Sequence, residues 1–160
     1  MTRSILTTYL NDHLAGSVAA IELLEHLGEI TRGTEREGRF AGLQSEIEED
    51  QALLRGLLQE LGGSVSRVRG AAAWLTEKLG EAKLKLDDPG SGELRLLEAL
   101  ESIGLGILGK LALWRALEVA RDQSPALRKL DFPRLKSRAL AQHEQVEGER
   151  LQVARAALGG

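Results

Sequence analysis

The sequence predicts an all-α protein, because apolar residues recur at helical spacing and no stretch shows the alternation of a β-strand. Two observations on composition agree with this class. Aromatic residues make up only 3% of the chain, which leaves leucine and alanine to fill the interior. The 160 residues are enough for a core that needs no disulfide or metal. We therefore expect one helical domain spanning residues 1–160.

The first two helices are predicted from their apolar faces and their end signals. The first spans about 3–31, and Ser4 or Thr2 can cap its amino end. The second spans about 36–61 and ends at the glycine pair 62–63, which is a strong signal for a helix carboxyl end. The short connection between them predicts an antiparallel pair.

The third long helix, about 92–121, is apolar almost all round, as expected of a helix packed on several sides. Glycines at 104, 106 and 109 each cost helix propensity, so we expect close backbone approach there to compensate. A fourth long helix begins near Asp131 or Phe132, before a proline suited to a first helical turn, and runs to about residue 158.

About 30 residues separate the second and third long helices, and they contain a shorter amphipathic segment at about 66–84. A helix of about 19 residues spans about 28 Å, which is enough to carry the chain along a bundle. Two short-linked helix pairs joined by such a crossover are typical of ferritin-like folds. We favour a ferritin-like four-helix bundle with an additional crossover helix over a five-helix up-and-down array.

Three segments strengthen this interpretation: YLNDHLAGSVAAIELLEHL, GLGILGKLALWRAL and HEQVEGERLQVARAAL. They resemble an uncharacterised bacterial family of ferritin-like proteins, and the resemblance covers nearly the whole chain. It implies the fold but no activity, since shared bundle architecture does not define function.

Charge and composition argue against several function classes. A net charge of −3 with both signs interleaved offers no basic surface for nucleic acid or anionic lipid. The absence of cysteine excludes disulfides, thiolate catalysis and iron–sulfur clusters. The amino terminus lacks a secretory signal, and no segment has the apolar length of a membrane span. We expect a cytoplasmic protein that binds neither nucleic acid nor membrane.

Polar residues fall on helix faces that should be buried, when each helix is projected at about 100° per residue. They are His13, Asp50, Glu101, His143, Glu147 and Arg150. With ferritin-like helix directions, the three acids and the arginine lie within a turn of one another. The two histidines lie one to two turns lower.

The ferritin-like di-iron site uses a Glu on each of two helices and Glu-x-x-His on each of the other two. Glu101 matches a single Glu, while Glu147 and Arg150 have the Glu-x-x-His spacing with arginine replacing histidine. Arginine keeps its proton and has no lone pair for a metal. We expect a buried Arg150 to satisfy Asp50, Glu101 and Glu147 in place of a metal pair.

The sequence thus predicts a non-catalytic scaffold, or a binding or assembly module, without a cofactor. The alternative is a ferritin-like oxidoreductase or storage protein that binds iron or manganese. Its candidate ligands are His13, Asp50, Glu101, His143 and Glu147. A third possibility is that the projection misplaces some of these side chains, which then lie in solvent. Finally, Leu53, Leu113 and Leu117 extend the apolar surface and suggest a homodimer. The sequence does not identify a further protein or small-molecule partner.

Overall fold

A computed structural model describes residues 4–65, 77, 81 and 92–159, and all regular structure in this part of the chain is helical. The helices are α1 (Ile5–Ile30), α2 (Glu35–Glu60), α3 (Gly92–Val119), the short α4 (Pro125–Arg128) and α5 (Phe132–Leu158), with a 3-10 turn at Arg121–Gln123. The predicted crossover helix lies outside the described residues, apart from Glu77 and Glu81, which are helical. None of the helices described is long and apolar enough to cross a membrane.

The helix ends follow the predicted signals to within about two residues. Ser4 caps α1, because its Oγ accepts a hydrogen bond of 3.1 Å from the Thr7 backbone N–H. After α2, Gly62 has a φ of 71°, a left-handed conformation that glycine adopts without strain. At the start of α5, the Asp131 carboxylate accepts a 3.1 Å hydrogen bond from the Arg134 backbone N–H.

Two apolar clusters are stacked along the bundle, and they fix the helix directions. The first cluster takes the end of α1, the start of α2, the start of α3 and the end of α5. The second takes the opposite half of each of these helices, together with α4. Thus α2 and α3 run in one direction, and α1 and α5 run in the other. Because α2 ends in the second cluster and α3 begins beside the first, the end of α2 and the start of α3 lie at opposite ends of the bundle.

The buried faces of α1 and α2 follow their apolar stripes. On α3 the face predicted to be buried is the one that carries Glu101, in line with Leu94, Leu97, Leu108 and Leu111, and it is only half buried. Leu97 and Leu111 are buried, whereas Leu94 and Leu108 of the same predicted stripe are exposed. Glu101 lies on this exposed side as well. The true core face is rotated toward Leu100, Ile103, Ile107 and Trp114, so inward polar residues must be sought beside these side chains.

The leucines that suggested a homodimer do not form an exposed surface. Leu113 and Leu117 are fully buried, and Leu53 packs against the second cluster. They are core residues of one chain, because α3 contributes to the interior on several sides. The residues from which a homodimer was predicted are therefore not available to form an interface between two chains.

Candidate functional site in the middle of the bundle

A polar layer separates the two apolar clusters. Asp50 from α2, Lys110 from α3 and Gln142 from α5 each stand between one residue of the first cluster and one of the second. These flanking pairs are Ile47 and Leu54, Ile107 and Leu111, and Val146 and Ala139. We call Asp50, Lys110 and Gln142, with Glu46 and Arg138 beside them, the mid-bundle layer.

Lys110 is the centre of this layer. Its Nζ donates to Asp50 Oδ2 at 2.5 Å and also to Gln142 Oε1. The Lys110 side chain is 12% exposed and that of Asp50 is 4% exposed, so two opposite charges are paired away from water. Burial lowers the pKa of Lys110, and the Asp50 carboxylate opposes this shift by attraction and hydrogen bonding. The pair supplies the neutralisation that a buried charge requires.

Arg138 of α5 and Glu46 of α2 connect these two helices at the level of the layer. Arg138 Nη2 donates to the Glu46 backbone carbonyl at 2.9 Å and to Glu49 Oε2 at 2.8 Å. Its Nε lies 3.8 Å from Asp50 Oδ1, so a second cation faces that carboxylate. Gln142 Nε2 donates to Glu46 Oε2 at 2.9 Å. The layer therefore links three helices through hydrogen bonds of its side chains, one of which reaches a backbone carbonyl.

Asp50 is buried as predicted, but its main partner is Lys110 and not Arg150. Arg150 does join two carboxylates: Nε and Nη2 donate to Glu147 at 2.7 and 2.8 Å, and Nη1 donates to Glu101 at 3.4 Å. However, Glu101 is exposed, and Glu147 and Arg150 are only half-buried. We call these three the outer network. The hydrogen bond from Arg150 lowers the pKa of Glu147 and raises that of Arg150. The predicted contacts of Arg150 with Glu101 and Glu147 are therefore present, but the network is not buried and does not include Asp50.

The two candidate histidines stand in different surroundings. His13 is half-buried, and its ring makes an edge contact with Tyr9 at a centroid distance of 4.7 Å. Burial lowers the pKa of His13 to about 4, so its imidazole is neutral at pH 7. His143 is half-buried beside the outer network and contributes to the lowered pKa of Glu147. Within residues 4–65, 77, 81 and 92–159, no three His, Asp or Glu side chains are grouped to hold a metal ion.

A cavity of about 370 Å³ lies between α1, α2 and α3, next to the mid-bundle layer. Its walls are mainly apolar. The polar side chains in the lining are Tyr9, Asp12, His13, Ser17, Asp50, Gln51 and Lys110. Gln51 Nε2 donates to Ser17 Oγ at 2.9 Å, which joins α2 to α1 at the cavity wall. The bundle thus contains a partly enclosed space of the size of small-molecule sites.

Two glycines of α3, Gly106 and Gly109, line this cavity, and the glycines at 104, 106 and 109 do not mark close helix packing. A Cβ at Gly104 would meet Val146 Cγ1 at 3.8 Å, which is an ordinary contact. At Gly106 and Gly109, both in the cavity lining, a Cβ would meet nothing within 4 Å. The expected close backbone approach is therefore absent at these two positions. Their lack of a side chain leaves cavity space open.

Sequence reasoning missed Lys110 and a second buried acid, Glu149. Glu149 is paired with Arg36 Nε at 3.2 Å and with Arg39. A signal for both existed in the helical period. Glu149 and Gln142 continue the stripe of Ala139, Val146 and Val153, and Lys110 lies between Ile107 and Trp114. The predicted faces were displaced from these stripes by roughly a quarter of a helical turn.

Comparison with known proteins returned no similarity: no family model, no curated protein and no solved structure matches the chain. The resemblance to ferritin-like proteins therefore stays a prediction. Function must be inferred from the mid-bundle layer and the cavity beside it.

Proposed function

We propose that this chain is a non-catalytic, ferritin-like helical bundle that acts as a binding or assembly module, with an ion pair where related bundles hold a metal pair. The observation that carries the proposal is the hydrogen bond from Lys110 to Asp50 at the level where the two apolar clusters meet. In ferritin-like di-iron proteins the ligands project into the core from all four helices. In this chain the same level of the core contains Lys110, a cation that is hydrogen-bonded to Asp50.

The helix directions support the ferritin-like part of this proposal. α1 and α5 run one way and α2 and α3 the other, and the segment from 62 to 91 joins opposite ends of the bundle. A long connection between the second and third helices is the feature that distinguishes this topology from a simple up-and-down bundle.

Charge supports the non-catalytic part. A metal pair needs several anionic ligands and an open coordination position. Asp50 is hydrogen-bonded to the Lys110 ammonium and faces Arg138, so two cations already neutralise its carboxylate. A divalent ion at this level would meet both of them at short range, where the low dielectric of the interior strengthens repulsion.

One observation favours the alternative, a protein that binds iron or manganese. His13 is neutral at pH 7, and a neutral imidazole is a competent metal ligand. It shares the cavity lining with Asp12 and Asp50. A single ion held there would make the chain a metal-storage protein or an oxidoreductase instead.

Elemental analysis of protein purified without chelator or affinity tag separates the two classes. We expect less than stoichiometric iron and manganese, and no oxygen consumption above buffer after anaerobic loading with ferrous iron. Arg150→His is the matched control, because it adds a possible ligand in the outer network and should change neither result. Stoichiometric metal or rapid oxygen uptake by the parent protein would contradict the proposal.

A further inference from the structure

We propose that the cavity between α1, α2 and α3 binds an uncharged, largely apolar small molecule whose carbonyl oxygen accepts a hydrogen bond from Lys110. This deepens the binding role proposed above and rests on it. The ligand class follows from three properties of the cavity: its size, its unused hydrogen-bond donor and its charge.

The size and the walls select an apolar ligand. The cavity of about 370 Å³ is lined by aliphatic side chains from all three helices. They are Ala20, Ile47, Leu54, Ile103, Leu105, Ile107 and Leu113. Burial of hydrocarbon against such walls supplies most of the affinity in small-molecule sites, and a few polar groups set the orientation.

Lys110 supplies one such polar group. A lysine ammonium carries three N–H donors. Two of them are used, by Asp50 and Gln142. The third has no acceptor among the described residues, although the side chain is only 12% exposed and lines the cavity. A buried donor without an acceptor is costly, so a ligand oxygen placed there would be stabilised.

The charge of the lining favours an uncharged ligand. Lys110 is neutralised by Asp50, and His13 is neutral at pH 7 because its pKa is lowered to about 4 by burial. The remaining charged group in the lining is the half-buried Asp12, which would repel an anion. An anionic ligand would therefore have no unpaired cation to bind in the lining. A ketone does not require a counter-charge, because its carbonyl oxygen only accepts a hydrogen bond.

The fluorescent ketone Prodan is a suitable probe, because it is uncharged, has a naphthalene body and changes its emission when its carbonyl is hydrogen-bonded. We expect saturable binding of one Prodan per chain with blue-shifted emission. The anionic naphthalene ANS, of similar size, should bind with a Kd at least about tenfold higher. Failure of Prodan to saturate, or equal binding of ANS, would overturn the ligand class.

Gly106→Leu tests the location, because a Cβ there meets nothing within 4 Å and a leucine side chain would occupy the cavity. Prodan affinity should fall at least about tenfold with no loss of thermal stability, since leucine is a better helix former than glycine. Gly109→Leu is a second cavity variant with the same expected result. Gly148→Leu on α5 is the matched control, where a Cβ also meets nothing. Unchanged binding in both cavity variants would overturn the site.

The role of Lys110 has its own readout. In the double variant Lys110→Met with Asp50→Leu, bound Prodan should emit at shorter wavelength because its carbonyl loses a donor. The carbonyl stretching frequency of Prodan bound to the parent protein gives the same information without substitution, and a free-ketone frequency would overturn the assignment. These optical results do not depend on metal content. A protein that binds both Prodan and stoichiometric iron would overturn the non-catalytic proposal while leaving the cavity proposal intact.

Discussion

The mid-bundle layer and the outer network are built from the same chemistry, a cation hydrogen-bonded to carboxylates, but they differ in burial. Lys110 and Asp50 are 12% and 4% exposed, whereas Arg150, Glu147 and Glu101 are 27%, 38% and 50% exposed. The Arg150–Glu147 pair has the more regular geometry, with two parallel hydrogen bonds. Hydrogen-bond geometry and burial therefore rank the two networks in opposite orders.

Solvent explains the difference. An exposed ion pair exchanges hydrogen bonds with water at little net gain, and salt screens it further. A buried charge has no such exchange, so losing its partner leaves the full desolvation cost unopposed. The layer should therefore respond strongly to single substitutions and the outer network weakly.

The largest expected effect is that of Lys110→Met. This variant keeps most of the side-chain volume but leaves the buried Asp50 without its main partner, so we expect a loss of about 3–5 kcal/mol in unfolding free energy. Urea unfolding followed by circular dichroism measures it. Adding Asp50→Leu removes both charges and should restore most of the loss, since apolar replacement of a buried pair is often neutral or stabilising.

A double variant as unstable as the single one would show that packing around Lys110 matters more than its charge. A single variant as stable as the parent would mean that Asp50 is adequately paired by Arg138 alone. Either result would remove the contrast between the two networks.

The second effect is a pH dependence that belongs to His13. Its folded pKa of about 4 lies below the ordinary 6.5, so the unfolded chain binds more protons in that interval. Stability should therefore fall as pH decreases from 6.5 towards 4, by at most about 3 kcal/mol from this residue. The difference in unfolding free energy between the parent and His13→Gln, measured against pH, isolates the contribution of His13, because the carboxylates titrate in both proteins. Parallel stability curves from pH 7 to 4.5 would contradict it.

The faces of α1 and α2 could be predicted from the sequence because most of their large apolar residues fall on one stripe. Asp50 was located correctly for that reason, since it interrupts a stripe of Leu43, Ile47, Leu54 and Leu57. α3 offers no such contrast. Leucines occur on nearly every side of it, and several remain exposed, so periodicity cannot select the core face or identify Lys110.

On α5 the difficulty was the opposite one. Leu140 and Leu158 align with Glu147, so a count of apolar residues predicts a buried face there, but both leucines are exposed. The buried stripe instead carries Gln142 and Glu149, two polar residues that a hydrophobic count excludes. Their burial depends on Lys110, Arg36 and Arg39 from other helices. Such partners are visible only once the helices are packed.

Glu149 provides an intermediate case between the two networks. Its side chain is buried, but its partners Arg36 and Arg39 remain partly in solvent, so they can be rehydrated when the acid is lost. We expect Glu149→Gln to cost about 1–2 kcal/mol, less than Lys110→Met. Urea unfolding at low and high salt checks the order. A loss as large as that of Lys110→Met would show that burial of the partners does not matter.

The smallest effect should be that of Arg150→Ala, which removes the centre of the outer network. Glu147 and Glu101 would return to water, where each is fully solvated, so we expect an unfolding midpoint within the error of the measurement. Lowering the salt concentration should expose any residual attraction, because screening is then weakest. Arg36→Ala is the matched comparison, since loss of the same residue type there leaves the buried Glu149 with Arg39 as its remaining partner. If Arg150→Ala is the more destabilising of the two, the outer network holds α3 and α5 together, and burial is not what separates the two networks.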